Sequence, residues 1–379
     1  MKKIQMVDLV SQYERVQDEI DQAVTDVIRS SAYINGPEVK DFQKELEDYL
    51  DVKHVIPCAN GTDALQIAMM ALDLKPGDEV ITSDFTYVAT AEVIALLQLT
   101  PVLVDVDPDT FNIDVEAVKN AITPKTKAIV PVHLFGQCAE MEELLKLAKT
   151  HKLHVIEDTA QAIGATYTFK NGEKQRAGTI GDIGCTSFFP SKNLGCFGDG
   201  GAIFTNSDDM ATKLRCIANH GQTRQYYHDY VGVNSRLDSI QAAVLRIKLR
   251  HLDEYNKRRN ETASFYDEAF KDVPELTTPK RFEQSNHVFH QYTLKLNGLD
   301  REKMRAFLTD HGVPAMIYYP VPLHLQKAYK DERYNSGDFP ITEDLCERVL
   351  SLPMQTELDD EQLNHITETV KSFIKQQRS

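Results

Sequence analysis

The 379-residue sequence has no CxxC pair and no zinc-ligand spacing among its six cysteines (58, 138, 185, 196, 216 and 346). Their apolar or strand-like neighbours fit buried free thiols in a reducing compartment better than a disulfide framework or a metal site. No apolar run reaches the roughly 18 residues of a membrane span. The lysines of Met1-Lys-Lys-Ile-Gln-Met-Val-Asp8 are not followed by the apolar stretch of a signal peptide, so a cytoplasmic location is expected. Positive charge is short as well: 42 Lys and Arg against 57 Asp and Glu leave a formal net charge of −15. Such a field repels phosphates, which argues against nucleic-acid and anionic-membrane partners. An anionic ligand therefore needs a local pocket of cations and backbone N–H groups. No GxGxxG follows a predicted strand, and the dense glycines Gly198-Asp-Gly-Gly201 lack its spacing, which removes a nicotinamide oxidoreductase. Repeats and low-complexity tracts are missing too.

What is present is an alternation of short apolar runs and helical spacing. Strands are predicted at His54–Cys58, Glu79–Thr82, Pro101–Val106, Ala128–His133, His154–Glu157, Thr186–Phe189 and Ala202–Thr205. Helical patterns fall between them at Asp63–Leu72, Ala89–Leu97, Val115–Ala121 and Met141–His151. This predicts an α/β fold with a mostly parallel, about seven-stranded sheet sandwiched by helices, and ligands at the carboxyl ends of its strands. A charged amphipathic pattern from Arg236 to about Phe270 is long enough to bridge two domains. After it come a strand-like run (His287–Leu296), a helix (Arg301–His311), an extended piece (Val313–Tyr319) and a last helix from about Glu357 to Gln376, which read as a smaller α/β domain. The division expected is an N-terminal arm over 1–20, a large cofactor-binding domain over 21–245 and a small C-terminal domain over 246–379.

The chemistry centres on Lys192, set between the aromatic approach Thr186-Ser-Phe-Phe-Pro-Ser and the glycine-rich exit Asn193-Leu-Gly-Cys-Phe-Gly-Asp-Gly-Gly201. Partial desolvation lowers a lysine's pKa and frees its lone pair for attack. Asp158 closes the apolar run His154-Val-Ile-Glu-Asp, where a carboxylate can keep a pyridinium nitrogen protonated. Together they suggest a pyridoxal 5′-phosphate enzyme with Lys192 as Schiff-base residue. Several other features are open taken singly. The turn Asn60-Gly-Thr-Asp before a helix is an anion site or an ordinary capped turn. Ser187 can add a hydroxyl to the same phosphate. Asp158 can equally be an N-cap, with Gln161 solvated or reaching the cofactor's phenolic oxygen. Tyr87 stacks on a ring or belongs to the core. Asn234 and Arg236 are caps, surface groups or ligands. Tyr318-Tyr-Pro-Val-Pro-Leu-His324 is a linker or a loop whose Tyr318, Tyr319 and His324 meet sugar and diphosphate.

In combination these motifs resemble the DegT/StrS family of sugar aminotransferases, fold type I pyridoxal-phosphate enzymes that act on nucleotide-linked ketosugars. The resemblance rests on Gly61-Thr-Asp-Ala-Leu, Asp84-Phe-Thr-Tyr-Val-Ala-Thr-Ala, Pro131-Val-His-Leu-Phe-Gly-Gln, Glu157-Asp-Thr-Ala-Gln, Ser187-Phe-Phe-Pro-Ser-Lys and Gly232-Val-Asn-Ser-Arg-Leu-Asp. It implies that Lys192 is the Schiff-base and proton-transfer residue and that Asp158 pairs with the pyridinium. Gln161 then contacts the ring oxygen, Tyr87 stacks, and Gly61, Thr62 and Ser187 hold the phosphate. It also implies that Asn234 reaches the phosphate of the neighbouring subunit, hence a homodimer with shared active sites. Members that act as dehydratases replace the lysine with histidine; Lys192 points to ping-pong transamination from glutamate. The Lys192 loop and His220-Gly-Gln-Thr-Arg-Gln-Tyr-Tyr-His look closest to the branch that aminates UDP-2-acetamido-2-deoxy-3-oxo-glucuronate for surface polysaccharides. Arg236 is then the candidate for the sugar carboxylate or diphosphate. The alternative is a dTDP-3-keto-6-deoxyhexose 3-aminotransferase, which shares the Tyr-Pro-x-Pro-x-His-x-Gln pattern at 319–326. A non-catalytic regulatory protein binding the cofactor would be expected to lack Lys192 or to carry a DNA-binding module.

Overall fold

The structure is a computed structural model that describes residues 2–378. Its centre is a seven-stranded sheet of β1 (His54–Cys58), β2 (Glu79–Ser83), β3 (Thr100–Val104), β4 (Thr126–Val130), β5 (His154–Asp158), β6 (Ile183–Ser187) and β7 (Gly201–Thr205), in the order β1–β7–β6–β5–β4–β2–β3. Neighbours from β3 to β6 are parallel, whereas β7 runs antiparallel to both β6 and β1. The strands are apolar on both faces because helices cover both. Ile56, Val80, Val130 and Ile156 pack beneath helix α1 (Gly61–Ala71). Ile81, Ile129 and Val155 turn the other way, onto Val118, Met141 and Leu144 of the helices beneath. Helix α2 (Ala89–Leu96) follows β2 and brings Thr90 to the strand ends.

All seven expected strands are present, the first with the expected ends and the others with shifted ones. The sixth begins earlier and stops at Ser187: Phe188 packs edge-on against Phe42, and Pro190 has no N–H to extend a ladder. The expected continuous helix from 236 to 270 breaks at His251 into α3 (Ser239–Arg250) and α4 (Leu252–Phe270). The division at 245 thus falls inside α3, and that at 20 falls inside the helix Gln17–Ser30. Amphipathic spacing continues through both points, so composition carried no mark of where the backbone turns.

The C-terminal part has a three-stranded antiparallel sheet, β8 (Leu276–Thr277), β9 (Tyr292–Leu296) and β10 (Val349–Leu352). Helix α5 (Pro340–Arg348) leads directly into β10, and α6 (Asp360–Arg378) covers a core of Tyr292, Leu294, Leu350, Leu352, Ile366 and Phe373. Residues 287–291, expected in the strand, instead bond to the segment after β4: Val288 and His290 N–H donate to the carbonyls of Gly136 and Phe135. The 313–319 stretch forms no strand and pairs only through Met316 with Ser351. Among the described residues no helix is long and apolar enough to cross a membrane.

Candidate active site

A cavity of about 750 Å³ opens at the carboxyl ends of β2, β5 and β6, against the N-terminus of α1. The first N–H groups of any helix lack intrahelical acceptors. Here the Asn60 side chain takes the Asp63 N–H at 2.8 Å, and those of Gly61 and Thr62 stay directed at the cavity end of the helix. Gly61 has a steric reason to be glycine: a Cβ there would lie 2.7 Å from Ser187 Cβ. Backbone donors and the Ser187 hydroxyl are thereby brought into one small concavity.

Lys192 sits on the connection between β6 and β7, which is closed by hydrogen bonds from Phe188 N to Gly200 O (2.7 Å) and from Cys196 N to Phe188 O (2.8 Å). The next residue locks the loop from behind, with Asn193 Nδ2 bonded to Asn256 Oδ1 at 2.7 Å and to Val288 O at 2.9 Å. The Lys192 side chain keeps a partial opening to solvent through the cavity but is otherwise enclosed by protein. Desolvation lowers its pKa to about 8, against the opposing pull of the Asp158 charge. Roughly a tenth of such amines are neutral at pH 7, against a few in ten thousand for an ordinary lysine. Lys248 has a similarly lowered pKa, about 8, again from desolvation, yet it is buried away from the cavity over the Phe197 ring. Basicity alone does not mark the reactive lysine; placement on the cavity does.

Asp158 ends β5 with 7% of its surface exposed. Its Oδ2 accepts from Thr90 Oγ1 at 2.9 Å and its Oδ1 from Ala160 N at 3.1 Å. The preceding Glu157 points to the other side of the strand and is fully buried. There it accepts from Gly178, Ile180 and Gly181 N–H at 2.6 to 2.9 Å and faces His133 Nε2 at 2.8 Å. His133 Nδ1 accepts from Ala139 N, so Nε2 carries the proton and donates to Glu157. This nest fixes the strand end from which Asp158 projects. Gln161 is oriented at both ends of its amide: Oε1 accepts from Phe135 N (2.8 Å) and Nε2 donates to the Tyr319 hydroxyl (3.0 Å). Tyr87, 59% exposed, stands on the outer wall with its ring 6.5 Å from that of Tyr319.

The structure brings Gly61, Thr62, Tyr87, Asp158, Gln161, Ser187, Lys192, Tyr318 and Tyr319 onto one cavity. Three expected site residues lie elsewhere. Asn234 is exposed in an isolated bridge to Asn219, and half-buried Arg236 does not line the cavity. His324, expected at the substrate, is 2% exposed and its imidazole is bonded to Asp84 within the protein, so it offers no surface to a ligand. Thr90 and His290 were missed. Thr90 lies within the same Asp84-Phe-Thr-Tyr-Val-Ala-Thr-Ala motif as Tyr87, three residues on, at the start of the helix that follows. His290 lines the cavity at 6% exposure; burial holds its pKa far below the usual range, helped by the nearby Lys192 and Arg259 charges. Nothing local in the sequence distinguished it from a core histidine.

Reactivity of Lys192 in cofactor-free protein toward trinitrobenzenesulfonate, followed by peptide mapping, is expected to rise about tenfold per pH unit and level off above pH 8 or so. Asp158→Asn moves the midpoint down, because it removes the charge that favours the ammonium form. A midpoint near that of an ordinary lysine would refute the desolvated amine.

A reactive amine facing a carboxylate across a cavity at the strand ends, next to a helix-terminal anion cradle, defines a fold type I enzyme of the aminotransferase class. The model of the DegT/DnrJ/EryC1/StrS aminotransferase family matches residues 14–371, and the chain belongs to that family. It is 48% identical to the UDP-2-acetamido-2-deoxy-3-oxo-D-glucuronate aminotransferase of Pseudomonas aeruginosa, over 94% of this chain and 96% of that one. It is 46% identical to a pleiotropic regulatory protein of Geobacillus stearothermophilus, over 98% of both chains. Among solved structures, S. venezuelae DesV in complex with a ketimine intermediate superposes with a TM-score of 0.94 at 38% identity, over 98% of this chain and 99% of that one.

Proposed function

We propose that the protein is a pyridoxal-phosphate-dependent aminotransferase that moves the amino group of glutamate to C3 of UDP-2-acetamido-2-deoxy-3-oxo-glucuronate. The observation that carries the chemistry is Lys192, an amine of pKa about 8, sharing one cavity with Asp158. The residues fit the cofactor: Gly61, Thr62 and Ser187 line one end of the cavity at the start of α1, where two backbone N–H groups and a hydroxyl suit a phosphate. Pyridoxal phosphate, when bound, supplies an electron sink for the carbon that gains or loses the amino group.

The remaining work falls to the chain. Asp158, steadied by Thr90 and Ala160 N–H, holds a proton on the ring nitrogen. The Lys192 amine would anchor the cofactor and, as the acid–base of the site, would take the proton from the donor's Cα and return one at the acceptor carbon. Gln161 keeps one amide N–H beyond its bond to Tyr319, which would be available to the ring oxygen. Tyr87, on the cavity wall, would stack on the ring.

The 48% identity to an enzyme of that substrate, over nearly the full length of both chains, supports the particular sugar. The charge of the wall supports a homodimer: among the described residues Lys192 is its one cation, against Asp63, Asp158 and Asp199. A cofactor phosphate, a diphosphate and a uronate carboxylate need more positive charge than that, and a second copy is its source. Exposed Tyr33, Ile34 and Phe197 cluster about the start of α3, where Tyr33 O accepts from Ser239 N and Phe197 N donates to Gln241. They form an apolar face for the second copy to cover, and Asn234 and Arg236 lie close in sequence to that face. The test is incubation with glutamate and a panel of UDP- and dTDP-linked ketosugars, read by mass spectrometry, with the solution mass followed by light scattering. A 3-amino UDP-uronate made by a dimer is expected. Preferential amination of a dTDP-3-keto-6-deoxyhexose would overturn the sugar, and full activity in a monomer would overturn the shared site.

A further inference from the structure

The buried Asp84–His324 pair is not accounted for by the proposed chemistry. Asp84 directly follows β2 and is 1% exposed. His324 lies 240 residues later in sequence, and it donates to one carboxylate from two groups: its backbone N–H to Oδ1 at 2.8 Å and its Nδ1 to Oδ2 at 2.6 Å. The neighbouring Leu323 N–H donates to the Asp84 carbonyl at 3.2 Å. One residue at the end of β2 therefore holds two consecutive residues of the Pro-restricted 318–324 loop. The far side of the imidazole is also confined, with Nε2 facing Glu343 Oε1 at 3.4 Å and the ring edge-on to Phe339 at 4.7 Å. A second tie runs parallel to it: Asp105, just beyond β3, accepts from Ile341 and Thr342 N–H at the start of α5.

Both chain segments that leave this junction end on the cavity. Three residues after Asp84 comes Tyr87, and five residues before His324 comes Tyr319. Tyr319 packs 5.8 Å from Phe85 and receives the Gln161 amide on its hydroxyl. The two tyrosines form the outer wall, beyond Lys192 and Asp158. We infer that Asp84 and His324 are a positioning pair that sets the gap between Tyr87 and Tyr319, and so governs how the long nucleotide-sugar acceptor is held. Neither residue touches a ligand. A doubly bonded, buried carboxylate–imidazole contact is stiff and directional, which a position held to fractions of an ångström requires. Glutamate, a much smaller molecule, depends less on the outer wall. The acceptor half of this inference rests on the nucleotide-sugar reading above.

The test compares His324→Leu, which cannot bond Asp84 through its side chain, with His324→Asn, whose amide N–H can replace Nδ1–H. For His324→Leu, the KM for the ketosugar is expected to rise roughly 10-fold, as misplacement by a fraction of an ångström does. Its half-reaction with glutamate stays within about twofold, and His324→Asn recovers most of the loss. Hydrogen exchange by mass spectrometry supplies a readout that needs no acceptor. Exchange should rise together in the 84–90 and 317–326 peptides of His324→Leu and return in His324→Asn. Equal losses in both half-reactions, or faster exchange in only one peptide, would reduce the pair to ordinary packing. If the wild type aminates no nucleotide sugar while coupled exchange is still seen, the acceptor assignment falls and the positioning stands.

Discussion

Lys192→Ala lowers amino transfer by at least about 10⁴-fold, because one substitution removes both the covalent attachment and the proton carrier. Each role alone is worth orders of magnitude, and among the described residues no second amine lines the cavity to replace it. The folded state is expected to persist. With a pKa near 8 in place of the usual 10.5, the protonated side chain is less well accommodated folded than unfolded. Cofactor-free Lys192→Ala protein should therefore be at least as stable as wild type at pH 7. The sign follows from proton linkage. Between pH 8 and 10.5 or so the unfolded chain binds more protons than the folded one, so wild-type stability rises with pH and the variant's advantage fades there. Single-turnover kinetics with glutamate and urea unfolding at several pH values measure both. Appreciable residual turnover would remove Lys192 from the chemistry. Collapse of the fold at pH 7 would show that its stem, not its amine, is what the structure needs.

Glu157→Ala has the opposite character: it strikes stability first and activity through it. The substitution strands three backbone N–H groups and the His133 Nε2–H in a site without water contact. Removing one member of such a buried charged network costs about 3–5 kcal/mol. The urea midpoint should fall accordingly, while Glu157→Gln, which keeps the shape and at least one acceptor, loses less. Protein that remains folded should also bind pyridoxal phosphate more weakly, because Asp158 is the next residue on the same strand. An unchanged midpoint in Glu157→Ala would mean that the nest is replaced by solvent at no cost.

Much of the framework was legible because it is written in local patterns. Seven apolar runs bounded by turn residues become seven strands, and residues at their ends (Asp158, Ser187) or a few positions beyond (Tyr87, Lys192) meet on the cavity. The misses share a cause. His324 sits in a Pro-rich loop of polar and aromatic residues, which locally reads as a ligand-facing surface. Its burial is decided by Asp84, which no window around residue 324 contains. His290 and the 287–291 stretch were read as strand from their apolar content, but Gly136 and Phe135 claim their N–H groups. The break at His251 left no sign because charged, amphipathic spacing runs through it. Asn234 and Arg236 stand apart from the cavity within one chain; the role expected of Asn234 lies at the phosphate of a second copy, which sequence spacing cannot place.

The antiparallel strand β7 bears on the order in which the site is assembled. Because β7 returns beside β6, the Lys192 connection is closed by pairing Ser187 with Gly201, a short hairpin-like loop. The tyrosine wall is closed by contacts 240 residues apart. By loop-closure entropy alone the longer closure costs about 2.5 kcal/mol more, and distant contacts form late in folding. A growing chain thus acquires its reactive amine well before it acquires the wall that selects what the amine will meet.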